Sequence, residues 1–193
     1  MTMRNPIKNR KALSQTVTTM ILLVVPVMLS GGVAMYAYQL ISSETQLEVV
    51  TISKQYIWIF EDGSSYVALE IDNIGGRDAV IDKIEVRGVE VPWSTVYYYK
   101  TTLIITDSLN CPKNDNHSWI NFEYTLNKVA NFTQSSNDIP LPSGYTLAIY
   151  IKNPDNLMVN DVGKVIGITI YTGNAQYQVF CHAQSKVSNN QQK

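Results

Sequence analysis

From Ala12 to Ser43 the chain carries no charged residue, and inside that stretch Met20-Ile-Leu-Leu-Val-Val-Pro-Val-Met-Leu29 is almost uninterrupted hydrocarbon. About 20 apolar residues in a helix cross the hydrocarbon core of a bilayer, so this run is long enough to span one. A total of 193 residues leaves room beside it for one domain of ordinary size and hardly for two. Any fold for this chain must therefore place one long apolar rod and one separate core.

The flanks orient the rod. Arg4, Lys8, Arg10 and Lys11 are the only charges before Glu44, and Glu44 and Glu48 are the first after it. The positive-inside bias puts the N-terminus in the cytoplasm and the C-terminal part outside, as a single-pass protein of the cell membrane. Tyr36 and Tyr38 fall where an interfacial aromatic belt is expected.

Three readings compete for the segment. A secretory signal peptide has an apolar region of about 7–15 residues before a small-residue cleavage site. Gly32-Val33-Ala34 offers such a site, but the apolar stretch before it is too long. A plain signal-anchor fits the length and leaves unexplained the polar patch Ser14-Gln15-Thr16, with Thr18 and Thr19, between the basic cluster and the hydrocarbon.

The third reading accounts for that patch. Asn9-Arg10-Lys11-Ala12-Leu13-Ser14-Gln15 resembles a class III signal sequence, and the run after it resembles the N-terminal helix of archaeal type IV pilins and archaellins. The resemblance implies that a prepilin-type peptidase cuts between Ala12 and Leu13, with Lys11 and Ser14 flanking the bond, and that the apolar helix stays on the mature chain. The fifth mature position, Glu in bacterial pilins, is Val17 here, which favours the archaeal branch. The stretch from Asp72 to Tyr99, with Asn73-Ile-Gly-Gly-Arg-Asp78, Val86-Arg-Gly88 and Val91-Pro-Trp93, is similar to the proximal part of exterior domains in archaeal pilin-like proteins. No family pattern is evident beyond about Lys100.

Loss of the four basic leader residues would take the net charge from −1 to −5. The expected organisation is a leader over 1–12, a transmembrane or filament-core helix over 13–43, an extracellular domain over 44–184 and a polar tail over 185–193 that composition predicts to be disordered. Pro26 removes a helical hydrogen bond, and Gly31-Gly32 adds a second soft point, so a kink or local opening is expected in mid-helix. Whether that bend serves movement from bilayer to filament or is merely tolerated stays open.

After Ser43 the periodicity alternates. Leu47–Lys54 and Tyr66–Asp72 place an apolar residue at every second position, which predicts strands with one wet face. Ile71–Arg87 predicts strand, glycine turn and strand, with Gly75-Gly76 supplying positive φ, as a hairpin or a crossover between sheets. Further strands are expected over Thr95–Thr106, Trp119–Leu126, Tyr145–Lys152, Lys164–Tyr171 and Ala175–His182. Some eight strands and no second helix make the expected class α+β, one long N-terminal hydrophobic helix followed by an all-β, immunoglobulin-like sandwich.

Candidate chemistry is sparse. Asn116-His-Ser118 and Asn131-Phe-Thr133 match the N-glycosylation sequon on the side expected to be outside. Cys111 and Cys181 are candidates for one disulfide in an oxidising exterior, or for two buried thiols. Tyr97 and Tyr99 alternate with Tyr98, as a subunit-facing patch or as core. His117 and His182 are the only histidines, and nothing in their spacing demands a metal. No basic tract follows the leader, so nucleic acid has no electrostatic footing. No nucleophile elbow, zinc, phosphate or dinucleotide motif occurs, and neither catalysis nor a cofactor is expected. The resemblance implies a structural subunit of an archaeal type IV pilus-like filament, with copies of itself or related pilins, the peptidase and membrane lipid as partners. The competing expectation is an anchored extracellular binding or adhesion module that does not polymerise.

Overall fold

The computed structural model describes residues 7–44, 47–113 and 118–187, with side chains from Ser14 to Ser42 and from Leu47 onward. The chain divides into two compact units, Met1–Thr45 and Gln46–Lys193.

The first unit holds one helix, α1 (Ile7–Glu44), assigned without a break across Pro26 and Gly31-Gly32. Ala, Leu, Met, Gln and Lys in it favour the helix, whereas its β-branched residues, Pro26 and the two glycines do not, and Thr18, Thr19 and Ser30 return their hydroxyls to carbonyls three or four residues back.

The second unit is β-rich. Its strands are β1 (Val50–Phe60), β2 (Ser65–Asn73), β3 (Ala79–Val86), β4 (Val89–Glu90), β5 (Val96–Thr101), β6 (Phe122–Thr125), β7 (Lys128–Ala130), β8 (Thr133–Gln134), β9 (Ile139–Leu141), β10 (Thr146–Lys152), β11 (Val165–Thr172) and β12 (Gln176–Lys186). One apolar helix followed by a sandwich-like β domain is the expected fold class.

A single strand makes one sheet of what would be two. Ten strands run in the order β4, β3, β11, β12, β1, β2, β10, β5, β8, with β9 beside β3. The first part of β12 pairs antiparallel with β11, up to His182 opposite Val165. The last part, Ala183 to Lys186, pairs parallel with Ile57 to Phe60 of β1. The half built on β1, β2 and β10 and the half built on β3 and β11 share one aliphatic core, including Ile57, Leu69, Ile149, Ile84, Ile168 and Ile170.

The half built on β1, β2 and β10 is buried on its other face too. Trp58, Tyr66, Ala68, Ala148 and Tyr150 form a second cluster with Phe122, Tyr124 and Phe132 from β6 and its surroundings, and with Ile105 and Leu109 from the segment after β5. Tyr150 makes edge contacts with Phe122 and Phe132 at centroid distances of 5.2 and 5.3 Å. The wet face expected for Tyr66–Asp72 is therefore absent: every residue of β2 but Asp72 is buried. The physical reason is the β6–β7 hairpin and the long connection before it, which cover the aromatic face.

Three further expectations change. Neither Gly75 nor Gly76 is among the positive-φ glycines, which are Gly63, Gly88, Gly144 and Gly163. Gly75 is needed for a different reason, since a Cβ there would lie 2.5 Å from both Leu47 O and Val49 N. Of the two arrangements expected for the segment after β2, the crossover is the one present, because β2 pairs with β1 and β10 whereas β3 pairs with β11, β4 and β9. The strand expected over Thr95–Thr106 ends at Thr101, and β12 runs to Lys186, two residues into the expected tail.

Candidate functional site

The feature with most functional content is α1. Ser14–Ser42, 29 residues with mean hydropathy 2.1, is long and apolar enough to cross a membrane, and none of it is buried. Met20 to Val25 and Val27 to Leu29 follow one another, so at 100° per residue they point in every direction around the axis. Leu22, Leu23 and Met28 are 67, 69 and 72% exposed. A helix apolar all round belongs inside a large assembly or inside lipid. At 1.5 Å per residue its length is about 43 Å, more than a bilayer core of about 30 Å.

The polar patch at its start is compatible with either surrounding. Thr18 Oγ1 donates to Ser14 O at 2.8 Å, and Thr19 Oγ1 reaches Thr16 O and Gln15 O at 2.9 and 3.1 Å. The Thr18 and Thr19 hydroxyls thus meet their need within the helix, as apolar surroundings require. Lys11, Ala12 and Leu13 lie within the helical range of α1, and their side chains are outside the described residues, as is the whole of Asn116 and His117.

Asn131 is exposed, and its Oδ1 accepts the Asn121 backbone N–H at 2.8 Å. That bond holds the amide of the second sequon in place while Thr133 begins β8 at the sheet edge. Cys111 and Cys181 are free thiols, the alternative to the disulfide. Cys181 belongs to the aliphatic cluster and Cys111 packs against the aromatic one. Burial raises both thiols, Cys111 to about 12. Tyr97 and Tyr99 pack into the aromatic cluster and Tyr98 against the aliphatic one, so the triplet is core on both sides of β5. Trp119 stacks on Tyr97 at 4.3 Å. His182 is exposed, and among the described residues no three metal-binding side chains converge.

Two charged clusters escaped the sequence reading. Glu70, 2% exposed on the aromatic face of β2, meets Lys54 Nζ at 2.7 Å, and Lys54 also donates to Ile105 O. Burial raises the Glu70 carboxyl despite the neighbouring ammonium. The signal was present: Tyr66-Val-Ala-Leu-Glu-Ile71 is apolar at five of six places, the pattern of a strand buried on both faces, where a carboxylate needs a partner. At the opposite half, Asp161 accepts from Lys164 at 2.8 Å, the Met158 N–H at 3.1 Å and Arg87 at 2.9 Å. Those three, Lys164 foremost, hold its carboxyl down at about 2. Their sequence separation hid them, since Arg87 is far from Asp161 along the chain.

Among the described residues of the β domain, a cleft of about 340 Å³ is lined among others by Ile74, Ile104 and Tyr145, with Thr51, Asp72 and Thr146. Asp72 Oδ1 accepts the Thr146 hydroxyl at 2.6 Å.

No family model and no curated protein matches this chain. Among solved structures, a family 123 glycoside hydrolase from Clostridium perfringens, described for glycolipid glycan hydrolysis, is similar at 8% identity and a TM-score of 0.32. The match covers 73% of this chain and 28% of that one. A likeness at that level carries no argument about activity.

Proposed function

We propose that this chain is a structural subunit of an archaeal type IV pilus-like surface filament, held in the membrane by α1 before assembly. A prepilin-type peptidase cuts between Ala12 and Leu13, and α1 then leaves lipid to pack with copies of itself. The β domain faces the exterior and coats the filament, where it supports adhesion.

One observation carries this reading: α1 is apolar on every side and none of its spanning stretch is buried. Burying a side chain such as Leu or Val is worth about 1.5–3 kcal/mol, so exposure of the whole run to water is untenable. Lipid meets that demand, and so does a bundle of like helices. Contacts between different patches on successive copies give an open helical assembly when the rotation does not close.

Mass spectrometry of the mature N-terminus, with electron microscopy of sheared surface material, tests the proposal. The expected result is a chain beginning at Leu13 and present in filaments. A product beginning at Met1 and absent from filaments supports the anchored module instead, and one beginning at Met35 shows the helix to be a discarded signal peptide.

A further inference from the structure

The two ends of the sheet half built on β1, β2 and β10 differ in chemistry. At the end where β1 finishes and β2 starts, the turn is Asp62, Gly63 and Ser64, and beside it lie Asn153 and Pro154. This end is polar, and its Asp62 carboxylate is tied to Ser64 N and Oγ at 2.9 and 2.6 Å.

The other end presents exposed apolar side chains among polar ones. Leu47, Val49, Ile74, Leu103 and Ile104 are 52, 39, 67, 65 and 77% exposed. They are neighbours in space: the Ile74 N–H donates to Val49 O at 2.9 Å, the Gly75 N–H reaches the same oxygen at 3.1 Å, and Ile74 and Ile104 line one cleft. Gly75 lets residues 47–49 lie directly against the turn, because any side chain would strike Leu47 O and Val49 N. Of the nearby carboxylates, Asp72 accepts the Thr146 hydroxyl, Glu48 Oε2 the Asn174 amide and Asp78 the Ser143 N–H. Contiguous exposed apolar side chains of this kind mark a surface that something covers.

The covalent chain says what covers it. Only residues 45 and 46 separate Glu44, the last residue of α1, from Leu47. Three extended Cα steps reach about 10 Å. If α1 crosses a bilayer, the covalent link keeps Leu47 within reach of the interfacial layer, and tethering makes even a weak contact with it persistent.

We infer that the apolar end formed by Leu47, Val49, Ile74, Leu103 and Ile104 is a membrane-contact surface that seats the β domain on the headgroup and acyl boundary of a phospholipid bilayer. The inference rests on the membrane reading of α1. Apolar area buried at that boundary supplies the attraction, and the Asp62 end, about 35 Å away along the eleven residues of β1, stays in water.

The test uses the full chain in phosphatidylcholine and phosphatidylglycerol vesicles. Single exposed thiols at Leu23→Cys, Ile104→Cys and Ser64→Cys are labelled with a maleimide dye. Cys111 and Cys181 stay in place, and the parent chain sets their background. Lipids bearing a nitroxide at the headgroup or deep in the acyl chain then quench each dye. The expected result is deep quenching at Leu23, headgroup quenching at Ile104 at least about threefold above Ser64, and little quenching of Ser64 from either lipid. Equal quenching at Ile104 and Ser64, with Leu23 still quenched, overturns the inference and leaves the membrane helix standing. No quenching at Leu23 overturns both.

Discussion

Leu69 in β2 and Leu23 in α1 are the same residue with opposite surroundings. Leu69 is 0% exposed, enclosed by the aliphatic core, whereas Leu23 is 69% exposed. The β domain meets the burial demand of its central strands from within, one face against the other half of the sheet and one against the aromatic cover. The helix buries nothing within its own stretch, and it is long and apolar enough to cross a membrane. The difference separates a part of the molecule that buries its own apolar residues from a part that leaves them exposed.

The sharpest way to break that comparison is to cut both leucines back. Leu69→Ala is expected to lower unfolding stability by about 2–5 kcal/mol, the range for a buried leucine. Leu23→Ala is expected to leave the unfolding midpoint of the β domain unchanged, measured by denaturant titration of the detergent-solubilised chain. An equal loss in the two variants would mean that α1 is buried within the monomer.

A somewhat smaller effect sharpens the β side. Lys54→Met leaves the Glu70 carboxylate buried without its counter-ion, and a loss of roughly 3 kcal/mol at neutral pH is expected. The sign of the pH dependence follows from the raised carboxyl. A Glu whose folded pKa lies above its unfolded value costs stability once pH rises above the unfolded value, and the cost grows until pH passes the folded one. The deficit of Lys54→Met is therefore expected to shrink as pH is lowered from 7 to 4. A deficit that stays constant across that interval would show that Lys54 contributes packing and not charge.

Asp161→Asn gives the smallest effect, and it rests on a carboxyl that is lowered where that of Glu70 is raised. The Asp161 carboxyl is held at about 2 against an ordinary 3.8, so its stabilisation is fully present above 3.8 and is lost as pH falls through about 2. Thermal unfolding of parent and variant is expected to differ by a constant small amount above pH 5 and to converge near pH 2. Curves that stay parallel throughout would remove the Arg87, Lys164 and Asp161 cluster from the stability of the domain.

Local pattern carried far in this chain. The absence of charge from Ala12 to Ser43 marked α1, and alternation located β2, β10, β11 and β12 to within a few residues, while β1 runs six residues beyond the expected Lys54. The short strands β4, β7, β8 and β9 were missed, because two or three residues contain too little periodicity to register. The two-sided burial of β2 was misread as one wet face because Glu70 and Asp72 interrupt the apolar run, and only the covering hairpin and the Lys54 partner explain a carboxylate inside. The apolar end at Ile74 and Ile104 was invisible for the same reason as Arg87 with Asp161: its members come from distant segments.

Sequence alone determined that this protein has a helix that needs apolar surroundings and a domain made of strands, since charge, hydropathy and period are properties of neighbouring residues. Tertiary structure decided that β12 joins two sheets into one, that Gly75 serves close approach and not positive φ, that Cys111 and Cys181 are separate thiols, and that one end of the domain presents exposed apolar side chains among polar ones. Those outcomes depend on which distant segments meet, and contacts across the sheet are set by the packing of whole layers, which no local window contains.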